Sequence, residues 1–185
     1  MRVKSRWHKK DKERLPHETG STLAFITWKT TLNSMDNMQD WGFEIGSLAY
    51  HFRVAYEFVA FLTQAVDRYA YGRMDDEERT ALIGAMAKRL VEMVTENQFE
   101  MLGPGDYKND LIKHLNSRLA DYAELTYTDE GPGYSALRYF AEKVVEELPE
   151  ENRRWITEQI VEVEAPDTIK NLFKGLRDQI PDVEE

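Results

Sequence analysis

Nine apolar residues recur at alternating steps of four and three along one stretch of the chain: Trp41, Ile45, Leu48, Phe52, Ala55, Val59, Leu62, Val66 and Tyr69. At 3.6 residues per turn, that spacing places them along one side of an α-helix. The seam lasts about four heptads and predicts one long helix from about Trp41 to Tyr71. Tyr50, Val54, Phe58, Phe61 and Ala65 widen its apolar face, leaving mainly Arg53, Glu57, Gln64, Asp67 and Arg68 for solvent. Such a helix has to be covered on several sides. The expected fold is therefore all-α: one domain, an irregular antiparallel bundle of six to seven helices around this central one.

The flanking sequence supplies the covering helices. Leu23, Phe25, Trp28, Leu32 and Met35 predict a helix capped by Thr19 or Ser21, with a strand as the alternative because Phe25-Ile26-Thr27 favours extended backbone. Gly72 ends the central helix, and Asp75-Asp76-Glu77-Glu78 opens the next at its dipole-positive end. That helix reaches about Leu102, with Leu82, Ile83, Met86, Leu90, Met93, Val94 and Met101 as its core stripe and Asn97 inside it. Gly103-Pro104-Gly105 and Gly131-Pro132-Gly133 break the pattern on either side of a helix marked by Leu111, Leu115, Leu119, Tyr122 and Thr126. Leu137 to Leu148 forms the next helix, and Pro149 and Pro166 then stand where two short helices begin. Residues 1–18 read as a flexible basic arm, 19–180 as the helical domain, and 181–185 as a frayed acidic tail.

Composition removes several chemistries. Without cysteine there is no disulfide, thiolate metal site or cysteine nucleophile, and a reducing, cytoplasmic setting is expected. A carboxylate-bridged dimetal bundle needs Glu-x-x-His. Here the residues three before His8, His17, His51 and His114 are Ser5, Arg14, Leu48 and Leu111. The two Gly-Pro-Gly breaks lack the Lys-Ser or Lys-Thr of a phosphate-binding loop. No cofactor is expected, and the balance leans away from an enzyme.

Three weaker constellations remain. Glu44 and His51 are the candidate metal ligands, placed by the predicted helix at the edge of its apolar face but about 10 Å apart along the axis. His114 shares a side with Asp110, Arg118 and Asp121, a grouping read as a solvated charged face because no nucleophile accompanies it. The first fourteen residues hold seven basic side chains against two acidic ones, a net of +5, which leaves −15 for the rest of a chain whose total is −10. Arg2, Lys4, Arg6, Lys9 and Lys10 are thus the candidate nucleic-acid contacts, and the remaining surface would repel a polyanion.

The predicted central helix carries nine of the chain's 21 aromatic residues. Trp41, Tyr50, Phe58 and Phe61 are the candidate interaction residues. The expected function is a non-catalytic helical interaction or regulatory protein that self-associates or binds a protein partner through that helix, with no membrane contact. The alternatives are a bundle binding a metal or a small apolar ligand, and nucleic-acid binding through the arm.

Overall fold

A computed structural model describes residues 16–150 and 156–181, so most of the basic arm, Trp155 and the tail beyond Pro181 lie outside the described residues. The chain is an all-α helical bundle. Helix α1 spans Pro16–Asp40, α2 Leu48–Ala70, α3 Asp76–Leu102, α4 Tyr107–Ala123 and α5 Tyr134–Glu147. A last rod consists of α6 (Ile156–Gln159), a π-helical turn (Ile160–Glu164) and α7 (Ala165–Leu176). Between α4 and α5 a two-residue antiparallel ladder pairs β1 (Tyr127–Thr128) with β2 (Gly131–Pro132). No helix among the described residues is long and apolar enough to cross a membrane.

Helix α2 is the centre, as its sequence requires. Every residue from Val54 to Val66 is buried. Helices α1, α3, α4, α5 and α7 all pack against it. The helix is shorter than its apolar seam, however. Gly42 and Gly46 adopt φ of 87° and 94°, a left-handed conformation that glycine tolerates and that interrupts a helix, and the helix starts only after Ser47. Ile45 still reaches the core, whereas Trp41 is 62% exposed. The 4-3 spacing thus runs on through a segment that is not helical.

Helix α1 contains no strand, and Thr19 and Ser21 lie inside it rather than capping it. It lies tightly on α3. A Cβ built on Gly20 would sit 2.8 Å from Cβ of Ala85, so only glycine permits this approach. Helix α3 keeps its predicted limits: Asp75 accepts from the Glu78 N–H at 2.8 Å, and the Gly103 N–H closes the other end on Phe99 O. Its stripe is shifted toward its C-terminal end, where Gln98 rather than Asn97 is buried and Met101 is 53% exposed.

Pro166 does not start a separate helix. A proline inside a helix lacks a donor and crowds the carbonyl four residues back. The preceding turn is widened, with the Ala165 N–H donating to Ile160 O five residues back, so the rod continues through the proline.

Candidate functional site

The strongest polar constellation is centred on Glu57, in the middle of the buried run of α2. The apolar pattern assigns Glu57 and Gln64 to solvent, yet they are 0% and 5% exposed. The reason is the approach of α4. His114 and Arg118 lie one turn apart on that helix and both meet Glu57. Arg118 Nε donates to Oε1 and Oε2 at 3.0 and 2.8 Å, and its Nη2 donates to Oε1 at 2.8 Å, so the planar fork grips both oxygens. His114 Nε2 lies 3.3 Å from Oε1, out of line for a hydrogen bond, and the contact is an ion pair only when the imidazole carries its second proton.

Burial alone would push the Glu57 carboxyl up; His114 and Arg118 outweigh it, and the group ends below the usual carboxylate range. The same bonds raise Arg118 above its ordinary value. The centre is therefore an ionised pair inside the protein. Around it, the Tyr56 hydroxyl donates to Gln98 Oε1 of α3 at 2.6 Å, and burial pushes that phenol up to about 12. The Tyr139 hydroxyl of α5 donates to Asp121, whose carboxylate is 3.9 Å from Arg118 Nη1. Tyr122 is fully buried against the rings of Phe61 and Tyr139, and its hydroxyl has no partner among the described residues. The network thus ties α2, α3, α4 and α5 together.

A second buried carboxylate, Glu164, lies in the π-helical turn and is 4% exposed. Thr168 Oγ1 donates to it at 3.2 Å, and Ser34 Oγ of α1 shares a 2.6 Å hydrogen bond with Thr168. Among the described residues no cation pairs with it. Burial pushes this carboxyl up, against the smaller opposing effects of Ser34 and Thr168.

The residues singled out from sequence are dispersed. Glu44 is exposed in the connection before α2, while His51 sits in the first turn of α2, where Nδ1 is 3.0 Å from Ser47 O and Nε2 is 2.9 Å from Gln39 Nε2. The two do not share a helix. No cluster of three or more His, Asp or Glu suited to a metal occurs among the described residues. Phe58 and Phe61 are 0% exposed and pack on Phe140, at ring separations of 4.9 and 4.2 Å. Tyr50 is half-buried with Arg53 over its ring, which leaves Trp41 as the exposed member of the four. Arg2, Lys4, Arg6, Lys9 and Lys10 lie outside the described residues.

His114 and Arg118, grouped in the sequence, do act together, but their carboxylate comes from α2. The available signal was a lone glutamate inside the largely apolar run from Val54 to Phe61, with a His-x-x-x-Arg pair on a neighbouring amphipathic helix.

Two surface depressions are lined by other residues. An open groove of about 320 Å³ lies where α3 passes into α4, bordered by Glu96, Phe99, Glu100, Tyr107 and Lys108. A more enclosed cleft of about 300 Å³ lies between the end of α2, the β1–β2 hairpin and α7. No protein-family model, curated protein or solved structure matches the chain.

Proposed function

We propose that the chain is a non-catalytic interaction protein that associates with a second copy of itself through the end of α3. The observation that supports this reading is the exposed apolar side chains there: Phe99 and Leu102, 54 and 37% exposed, lie three residues apart on one side of the helix. Single exposed apolar residues are ordinary, whereas a cluster beside a groove is the usual mark of a protein contact. The groove carries Glu96 and Glu100 against one ammonium, Lys108. Its complement in charge is the basic first fourteen residues, net +5 and bearing Trp7. The Glu57 centre supports a non-catalytic role, because its carboxylate is engaged by Arg118 and His114 and is fully buried.

Sedimentation velocity of the full chain tests the reading. A species heavier than the 21.7 kDa monomer is expected at low salt. It should dissociate near 1 M salt, where screening reaches about 3 Å. Phe99→Glu, or Lys9→Glu with Lys10→Glu, should give monomers under all conditions. A wild-type monomer at low salt, or an oligomer indifferent to both variants, ends the proposal.

A further inference from the structure

The enclosed cleft at the far end of α2 differs in chemistry from the rest of this acidic molecule. Arg68, Tyr69 and Tyr71 from α2 and the residue following it, Tyr127 from β1, and Phe173 from α7 all line it. Rings dominate its walls, and those of Tyr69 and Phe173 are 4.9 Å apart. Arg73, also in the wall, is engaged: its guanidinium lies 4.1 Å from the Tyr69 ring centroid and donates to Tyr69 O at 2.7 Å.

Arg68 is placed differently. Its guanidinium lies 5.6 Å from the centroid of the Tyr127 ring, and its one hydrogen bond among the described residues, to Ala123 O, is 3.4 Å long. No carboxylate among the described residues forms an ion pair with it, so most of its fork is left to an outside acceptor. Beside it, the Tyr127 hydroxyl is buried with no partner among the described residues. Its enclosure keeps it out of reach of the cleft, so the hydrogen bonds to a ligand fall to Arg68.

We propose that this cleft binds a small single-ring carboxylate, with Arg68 holding the carboxylate and the ring lying against the aromatic wall of Tyr69 and Phe173. The volume, about 300 Å³, is at the small end for ligand sites and fits one ring better than a nucleotide. A single negative charge is favoured over a double one because Asp129 shares the lining. This site is remote from the α3 groove and does not depend on self-association.

The test is an amide-resolved NMR titration of the full chain with benzoate, benzamide and acetate. Benzoate should give saturable shifts confined to the cleft, with acetate, which lacks the ring, and benzamide, which lacks the charge, each weaker by about tenfold or more. Arg68→Gln should weaken benzoate about tenfold, Arg68→Lys less because the charge remains without the fork, and Tyr127→Phe should leave it unchanged. Unchanged thermal melting keeps these losses attributable to the site, and Arg68→Lys serves if Arg68→Gln does not fold. The proposal is overturned if benzoate gives no saturable shift at about 10 mM, far above the micromolar range of ordinary ligands. Equal binding of acetate, or wild-type affinity in the folded Arg68 variant, overturns it as well.

Discussion

Among the described residues two glutamates are buried, and they solve the same problem in opposite ways. Glu57 is held by a guanidinium fork with a histidine alongside, and stays ionised below the usual carboxylate range. Glu164 is held by hydroxyls alone, and burial pushes it above that range. An isolated buried charge is too expensive to keep, so a carboxylate inside a protein is either paired or inclined to hold its proton. One centre therefore joins helices through a guanidinium and the other through hydroxyls. Both sit where several helices meet, and neither is replaceable by the other's environment.

The largest consequence concerns Glu57. Glu57→Gln keeps the shape but strips Arg118 of its buried carboxylate, leaving only Asp121 at 3.9 Å, while the guanidinium remains mostly enclosed, at 17% side-chain exposure. Leaving half of a buried pair costs about 3–5 kcal/mol, a large part of the stability of a domain this size. Urea denaturation at neutral pH should show a loss in that range. The folded-state carboxyl titrates lower than the unfolded one, so its contribution is full above the unfolded value and disappears as pH falls through the folded value. The gap between wild type and variant should accordingly close in acid. A variant within 1 kcal/mol of wild type at neutral pH, inside the range of ordinary surface changes, would place the pair among weak surface bridges instead.

This centre also marks what could and could not be read from the sequence. The central helix was legible because thirteen consecutive buried positions leave a dense apolar signal, and Asp75 and Gly103 fixed the limits of α3 through cap chemistry. Periodicity reports which face of a helix is apolar; it does not report which polar residue a neighbour will cover. Glu57 therefore read as solvent-facing, and His114 with Arg118 as a charged surface, although each was the other's missing partner across 57 to 118. The same limit applied to the aromatics. Their surplus on α2 was visible, but that Phe58 and Phe61 would be absorbed by Phe140 of α5 depended on a helix eighty residues away. The continuous rod through Pro166 was hidden for a different reason, since a π turn has no residue signature and proline ordinarily signals a boundary.

The counterpart at Glu164 should respond in the other direction. Glu164→Gln retains an acceptor for Thr168 and removes a group that is penalised whenever it ionises. The folded-state carboxyl titrates higher than the unfolded one, so its contribution is full below the unfolded value and is lost as pH rises through the folded value. The variant should therefore gain stability at pH 8, on the order of 1 kcal/mol or about 2–4 °C in Tm, and lose that advantage in acid. Both substitutions converge on wild type at low pH, one from below and one from above. If Glu164→Gln is destabilising at pH 8, the carboxylate has a cationic partner, and the contrast between the two centres collapses.

The smallest expected effect asks how dry the α1 side of the second centre is. Threonines within these helices usually donate to the carbonyl four residues back, as Thr63 does to Val59 O and Thr95 to Val91 O, both at 2.7 Å. Thr27 and Thr31 are one turn apart on α1, both 0% exposed, and neither Oγ1 has a partner among the described residues. An orphaned buried hydroxyl is a liability that a methyl of the same shape removes. Thr27→Val should therefore stabilise the protein by about 0.5–1 kcal/mol, as should Thr31→Val, with little pH dependence. A loss of similar size in either variant would mean that the hydroxyl is satisfied, by a buried water where the site is roomy enough. In that case α1 brings ordered water toward Ser34 and Thr168, and Glu164 is set in a hydrated polar seam while Glu57 remains held directly by the side chains of α4.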